Sequence, residues 1–143
     1  MTRSRESGTA TVEFIWLAIL LLVPFVYALI AVFDTQRASY AVSAASRSAA
    51  RAYLQAADPA AAENRARVAA RVALDDHDVD ADILITCKPG PADCLQPGSS
   101  VRVVVHTVQP LPLTPSALGD QLGGIAVDST YTESFGTYRA GKS

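Results

Sequence analysis

The chain has 143 residues, of which 50% are hydrophobic, 18% are charged and 7% are aromatic, and its formal net charge is −2 at pH 7. This balance excludes a disordered chain and a nucleic-acid-binding protein that depends on bulk positive charge. The apolar residues are unevenly distributed, because the 20 residues from 14 to 33 contain no Lys, Arg, Asp, Glu or His. The composition therefore indicates one membrane-length segment joined to a smaller, more ordinary domain.

Residues 14–33 are long enough to cross a bilayer as a helix. At roughly 1.5 Å per residue they extend about 30 Å, the thickness of the hydrocarbon core. We therefore predict a transmembrane helix, bent or loosened at Pro24 because proline removes one backbone hydrogen bond. The alternative is a cleaved secretory signal, which usually has a shorter apolar region and a small-x-small cleavage site. Arginines flank the segment on both sides, so the charge count does not give its orientation.

The residues just before the apolar run form a short motif. A polar, basic leader ends in Gly8, and Glu13 is a lone acidic residue at the edge of the apolar run, with Phe14 beside it. Counted from Thr9, Glu13 is the fifth residue and Phe14 the sixth. This arrangement resembles the prepilin signature. The resemblance implies that a membrane aspartic peptidase, the prepilin peptidase, would cleave between Gly8 and Thr9 on the cytoplasmic side.

Glu13 has two interpretations. A carboxylate at the membrane edge costs free energy unless it finds a partner. In pilins the implied partner is the amino-terminal amine, here on Thr9, of the same or a neighbouring subunit, which offsets both charges at low dielectric constant. The alternative is a carboxylate in the headgroup layer that is favoured by the dipole at the start of the helix. In the first interpretation Glu13 and Phe14 act in assembly.

No Pro or Gly interrupts residues 34–57, so we expect the helix to continue outward. One of its faces carries small apolar residues at spacings of four and three, which is typical of a helix that packs on another helix. The other helix belongs either to a neighbouring subunit or to the next segment of the same chain. The residues of this face are Ala38, Val42, Ala45, Ala49, Ala52 and Ala56. A second, mostly polar stripe contains Arg37, Tyr40, Arg47, Arg51 and Gln55, interrupted by Ala44.

A second Ala/Arg-rich helix is expected next, with Asp58 as its N-cap and Pro59 as its first residue. Val68 and Val72 lie on one face of this helix, and Arg67 and Arg71 lie on another. From Asp78 the period changes to alternation, which predicts a strand with one buried face. The residues of that face are Val79, Ala81, Ile83 and Ile85.

The aspartates of this region have the alternate spacing of an EF-hand calcium loop. Ala81 stands where that loop needs glycine, and Cys87 stands where it needs a bidentate glutamate. We therefore interpret them as the solvated face of a strand rather than as a calcium site. The four residues are Asp76, Asp78, Asp80 and Asp82.

Cys87 and Cys94 enclose a loop of six residues rich in Pro and Gly. The spacing fits no common zinc motif, and neither His77 nor His106 completes one. We predict a disulfide, which on the loop-entropy model stabilises the fold by about 2.5 kcal/mol. A disulfide implies an oxidising compartment, so the carboxy-terminal domain is expected outside the cytoplasm and the leader inside it.

Two more strands complete the predicted fold. One covers residues 100–108, and the last covers 125–135, where Ile125, Val127 and Tyr131 share a face. Residues 109–122 carry too much proline for a strand, with a short helix expected over 116–122, and Gly123 and Gly124 turn into the last strand. The predicted class is α+β: a long amino-terminal transmembrane helix continuing outward, a second helix and a small antiparallel sheet of about three strands.

This layout resembles the TadE-like minor pilins of tight-adherence (Flp-type, type IV-like) pili. The resemblance is best over residues 8–40, and farther on it rests on the strand pattern and the approach to Glu133. It implies a pilin-like fold with a leader (1–8), a transmembrane helix (9–33), an extracytoplasmic helical region (34–76) and a β-rich domain (77–143). The outer domain is an addition relative to the much shorter major Flp pilins, which favours a minor subunit.

No nucleophile–base pair, phosphate-binding glycine loop or metal cluster stands out, so we expect neither enzymatic activity nor a cofactor. The expected function is that of a minor pilin, cleaved after Gly8, that initiates, caps or decorates a pilus. Its expected partners are the prepilin peptidase, the membrane and other pilin subunits, either TadE- or TadF-like or the major Flp pilin, and no nucleic acid. The alternatives are an uncleaved single-pass protein that anchors a small extracytoplasmic binding domain, and an accessory domain of a membrane enzyme.

Overall fold

The structure is a computed structural model, and it describes residues 7–110 and 123–137. In chain order the elements are α1 (Ser7–Leu54), α2 (Pro59–Asp75), β1 (Asp82–Lys88), a short 3-10 helix (Pro91–Asp93), β2 (Ser100–Pro110) and β3 (Gly124–Ser134). The strands form one antiparallel sheet in the order β1-β2-β3. The predicted α+β class, with a long apolar helix, a second helix and three antiparallel strands, is confirmed.

Helix α1 has 48 residues and includes Pro24 in its interior. At roughly 1.5 Å per residue it is about 72 Å long. Its two halves have different surroundings: the side chains of residues 10–26 are all exposed, whereas Ala38, Ala41 and Ala45 are completely buried. One uninterrupted helix therefore has an amino-terminal half with exposed apolar side chains and a carboxy-terminal half that lies at the centre of a packed domain.

The carboxy-terminal half of α1 packs on α2 and on the sheet, which share one core with it. Two hydroxyl groups show where these neighbours lie. Ser48 donates to the carbonyl oxygen of Ala69 in α2 at 3.1 Å, and the hydroxyls of Ser46 and Ser129 in β3 are 3.0 Å apart. Ser46 and Ser48 are two positions apart and point to different sides of α1, so the sheet and α2 cover one side each.

Helix α2 begins as the sequence predicts. Asp58 accepts a hydrogen bond from the backbone N–H of Ala61 at 2.8 Å, and Pro59 is the first helical residue. Its packed face is made of alanines and one leucine, whereas Val68 and Val72 are exposed. Alanine on both helices lets the two backbones approach closely, which a valine face would prevent. The buried residues of α2 are Ala62, Ala66, Ala70 and Leu74.

The end of α2 corrects the predicted start of the first strand. The N–H of Val79 donates to the carbonyl of Leu74, and the N–H of Asp78 donates to that of Asp75. Asp78 has a φ of 57°, the left-handed conformation that closes a helix in the Schellman motif. Val79 and Leu74 are both buried, as the motif requires of its hydrophobic pair. The residues after Leu74 therefore cap the helix, and β1 starts at Asp82 instead of Asp78.

The sheet turns one face towards α1. Val101, Val103 and Val105 of β2 are completely buried, and on β1 the predicted alternation holds, with Ile83 and Ile85 half-buried. On β3 Val127 is buried and Tyr131 half-buried, but Ile125 is exposed near the start of the strand.

Strand β2 is longer than predicted, because it includes Gln109 and Pro110. Pro110 is tolerated as the terminal residue of the strand, where it pairs with Gly124. Gly124 is needed there, since a Cβ atom would lie 2.5 Å from the carbonyl oxygen of Gln109. Gly123, with a φ of 66°, adopts a backbone conformation that other residues rarely reach. The short helix predicted over 116–122 lies outside the described residues.

Tyr53 is buried near the end of α1, where the chain turns towards α2. Burial, and in second place the negative charge of Glu63 on α2, raises the pKa of its phenol above the ordinary value of 10.0. The phenol therefore stays neutral throughout the physiological pH range.

The alanine packing makes a specific prediction. Ala45→Leu should lower the free energy of unfolding by about 1–3 kcal/mol, because the fully buried site offers no room for three more carbon atoms. Ala44→Leu is the matched control, since Ala44 is exposed on the neighbouring position, and it should change stability by no more than about 0.5 kcal/mol. Thermal melts of the full chain in detergent, followed by circular dichroism, measure both. Equal effects of the two substitutions would contradict the packing described.

Candidate functional site

The amino-terminal half of α1 is an exposed apolar surface. Sixteen large apolar side chains between Val12 and Phe33 are 42–72% exposed, and the most apolar window of the helix has no buried residue. Burying one such side chain is worth about 1.5–3 kcal/mol, so leaving all of them half in water would cost on the order of 15 kcal/mol. That is as much as the whole stability of a typical domain. By length and composition, this helix can cross a membrane.

The residues of the predicted cleavage motif lie at the start of this surface. Helix α1 begins at Ser7, so Gly8 and Thr9 are in its first turn, while the side chains of Glu13 and Phe14 are exposed. Glu13 follows Thr9 by four residues, which places both on one face of the helix. Helical side chains lean towards the amino terminus, so the Glu13 carboxylate leans towards Thr9. A free amine at Thr9 would therefore lie close to the Glu13 carboxylate, which is the only carboxylate side chain between residues 7 and 33. Residues 1–6 of the predicted leader lie outside the described residues.

The small-residue face of α1 is used within the chain. Of its predicted residues, Ala52 is half-buried, and the others are buried against α2 and the sheet: Ala38, Val42, Ala45, Ala49 and Ala56. The sequence left open whether this face meets a neighbouring subunit or the following helix. In the structure the chain's own α2 and sheet cover it.

The polar stripe of α1 lies on the opposite side of the helix. All six of its residues are exposed, namely Arg37, Tyr40, Ala44, Arg47, Arg51 and Gln55. The guanidinium carbon of Arg47 lies 6.0 Å from the ring centroid of Tyr131 in β3, at the outer limit of a cation–π contact. Sequence spacing could not have found this pair, because the two residues meet only through the packing of β3 against α1.

The carboxy-terminal end of the stripe borders a notch of about 270 Å³ between α1 and β3. Arg51 and Gln55 line one side of it and Glu133 the other. The Oε2 atom of Glu133 is buried and has no hydrogen-bond partner among the described residues. No ion pair joins Glu133 to Arg51 in this part of the chain.

The two cysteines form the predicted disulfide. Cys87 at the end of β1 is bonded to Cys94, which follows the 3-10 helix, and their Cα atoms are 5.6 Å apart. Cys94 and the adjacent Leu95 are buried in the core, and the Ser99 hydroxyl donates to the carbonyl of Cys94 at 2.7 Å. The disulfide thus fixes the β1–β2 connection against the end of the domain near Leu54 and Phe135.

The four aspartates with EF-hand spacing do not converge in the structure. Asp76 and Asp78 belong to the cap of α2, and Asp82 is in β1. Across the outer face of the sheet His106 pairs in register with Asp82 and with Asp128, and its Nδ1 is hydrogen-bonded to the Asp128 carboxylate. Within residues 7–110 and 123–137, no group of three or more His, Cys, Asp or Glu side chains is arranged to hold a metal ion.

Comparison with known proteins gives no relative: no family model, curated protein or solved structure matches the chain.

The disulfide leads to a second prediction. Reducing it should lower the free energy of unfolding by about 2.5 kcal/mol, because the unfolded chain regains the freedom of an eight-residue loop. The measurement is a denaturant titration of the full chain in detergent, with and without reductant. The chain with Cys87→Ala and Cys94→Ala is the control, and its stability should not respond to reductant. A wild-type chain that is equally stable with and without reductant would contradict the prediction.

Proposed function

We propose that this chain is a minor pilin or pseudopilin of a tight-adherence pilus, cleaved after Gly8 and acting in pilus assembly, initiation or capping. The observation that carries the proposal is the division of α1. One continuous helix has an apolar half that needs a membrane or other helices to cover it, and a second half that is locked into a small α+β domain. A subunit whose helix passes from the membrane into a fibre would need this design.

The position of Glu13 supports the same proposal. It is the only charged residue between residues 10 and 33, and it precedes the apolar run by one position. Its place four residues after Thr9 allows a carboxylate–amine pair once cleavage exposes the Thr9 amine. An anchor that stays uncleaved has no such amine, and the helix dipole alone would then offset the cost of the carboxylate at the membrane edge.

The disulfide supports the proposed orientation. Disulfides persist in oxidising compartments, so the domain that holds Cys87 and Cys94 would face the outside and the leader the cytoplasm. The proposed role is structural, without enzymatic chemistry or a cofactor. Its partners would be the prepilin peptidase during maturation and other pilin subunits afterwards.

The third prediction concerns the amino terminus. Chain extracted from membranes of cells that contain a prepilin peptidase should begin at Thr9, as measured by mass spectrometry of the intact protein. Gly8→Leu should leave the leader attached without changing membrane insertion. A chain that still begins at Met1 in such cells would favour the uncleaved anchor and overturn the proposed function.

The fourth prediction concerns Glu13. Glu13→Leu should insert into the membrane as well as the wild type, because it removes a charge from the edge of the apolar segment, yet it should reduce incorporation into pili at least tenfold. Asp34→Leu is the matched control, since it removes the carboxylate at the other end of the apolar run, and it should assemble normally. The measurement is the amount of the chain in sheared pilus fractions relative to the membrane fraction. Equal incorporation of wild type and Glu13→Leu would contradict an assembly role for this carboxylate.

A further inference from the structure

Two charged surfaces of the domain form no ion pair among the described residues. The first, the basic stripe, is the exposed face of α1 formed by Arg37, Tyr40, Ala44, Arg47, Arg51 and Gln55. The ion pairs of the described residues join Arg67 to Glu63 and His106 to Asp128, so none of the three arginines of the stripe takes part in one. Arg47 is held beside Tyr131, and Arg51 shares a notch with the half-buried Glu133. The stripe therefore presents three cations in a row along about four turns of helix.

The second surface, the acidic corner, is the connection from α2 to β1. It carries five exposed carboxylates within eight residues, on Asp75, Asp76, Asp78, Asp80 and Asp82. None of these carboxylates takes part in an ion pair in the described part of the chain. Arg71 lies one helical turn before Asp75, but no ion pair joins the two residues. The Schellman cap holds the backbone of Asp78 in place, so the corner is a fixed feature of the fold and not a loose loop.

The two surfaces lie on different elements of the domain. Helix α2 and the sheet pack on the alanine face of α1, and the basic stripe lies on the opposite face of that helix. The acidic corner joins α2 to β1, which are themselves in contact through a hydrogen bond from Arg67 to the carbonyl of Ile83. The corner therefore shares no residue or element with the stripe. A contact between stripe and corner uses two different surfaces, so it leaves a free corner and a free stripe that can bind further copies.

We propose that the basic stripe of one copy docks on the acidic corner of a second copy, giving a head-to-tail chain of domains. The inference rests on the proposed function, in which like domains are brought side by side by their helices. Both complementary surfaces belong to this chain, which makes a second copy the partner that the charges fit. Surface ion pairs are individually weak. The contact should therefore form where the membrane or the fibre already holds the copies close together.

Membrane headgroups fit the stripe less well than a second copy does. Arg47 and Arg51 follow Phe33 by 14 and 18 residues, which places them about 21 and 27 Å along the helix from the end of the apolar run. The Debye length at physiological salt is about 8 Å, so the charge of a lipid surface is screened at these positions. Of the three arginines, only Arg37 lies within reach of headgroups.

The test is cross-linking of the full chain in membranes with a short bis-maleimide. Ala44→Cys places a thiol at the middle of the stripe, and Asp76→Cys places one at the corner. The native cysteines are bonded to each other and do not react. The chain with both substitutions should give a ladder of dimers, trimers and longer products, whereas each single substitution should give almost no product. A dimer from Ala44→Cys alone, to which Asp76→Cys adds nothing, would show a two-fold contact and overturn the inference.

Charge reversal tests the cause of the contact. In the background with both thiols, Arg47→Glu with Arg51→Glu should reduce the products beyond the monomer at least tenfold, and Asp78→Lys with Asp80→Lys should do the same. Combining the two reversals should restore the ladder. Arg65→Glu with Arg102→Glu is the matched control, because these arginines are exposed outside the stripe and carry the same charge change. Failure of the combined variant to regain the ladder, with its thermal melt unchanged, would overturn the inference.

The amino terminus and the ladder, measured on the same samples, separate the possible failures. A chain that begins at Thr9 but gives no ladder would leave the proposed function standing and remove the stripe-to-corner contact. A chain that begins at Met1 and still gives the ladder would remove the pilin function and leave self-association. A ladder that is absent in every variant, whatever else the stripe binds, would overturn the inference.

Discussion

Residues 10–33 of α1 present sixteen large apolar side chains that no described part of the chain covers. The environment that covers this surface is the constraint on which the position of the whole domain depends. Covering the surface is worth on the order of 15 kcal/mol, as much as the stability of a typical domain. By length and composition the helix can cross a bilayer, which would cover this surface. Since the helix continues without a break into the domain, whatever covers the apolar half also fixes the position of the domain.

The domain itself is built around small residues. Ala38, Ala45 and Ala49 of α1 are completely buried, as are the alanines of α2, so the two helices meet backbone to backbone rather than through long side chains. Such packing buries little apolar area per residue, and a small domain has few other sources of stability. The disulfide between Cys87 and Cys94, the Asp58 cap and the Schellman cap at Asp78 each restrict the chain where the alanine core contributes little.

Local patterns in the sequence were sufficient for most of this fold. The absence of Pro and Gly after residue 33 predicted the continuous helix, Asp58 and Pro59 predicted the start of α2, and alternation predicted the strands. Features that depend on packing were not predictable in this way. Val68 and Val72 form the larger apolar pair of α2 but are exposed, because close approach of two alanine faces excludes them.

The features of the candidate site also separate into those that local spacing predicts and those that depend on packing. The positions of Glu13 and Phe14 and the pairing of Cys87 with Cys94 follow from spacing alone, and the structure places the first pair on the exposed start of α1. The Arg47–Tyr131 contact joins residues 84 positions apart, so spacing could not predict it. The basic stripe is identified as the outward face of α1 only because the structure shows that the opposite face is buried. A periodic face on a helix predicts that something packs there, but it does not say whether the partner is the same chain.

The continuity of α1 links the apolar half to the domain in a second way. Ala49 follows Glu13 by 36 positions, which is about ten turns at roughly 3.6 residues per turn, so in a straight helix the two residues lie on the same side. Ala49 is buried against the domain, and the basic stripe lies on the other side. Glu13 would then project on the side that carries the domain, with Pro24 as the one place where a bend can change this relation. A helix without a flexible joint cannot rotate one end independently of the other. If the proposed pairing at Glu13 and the proposed docking through the stripe both occur, a neighbour that makes one of these contacts restricts the geometry available to the other.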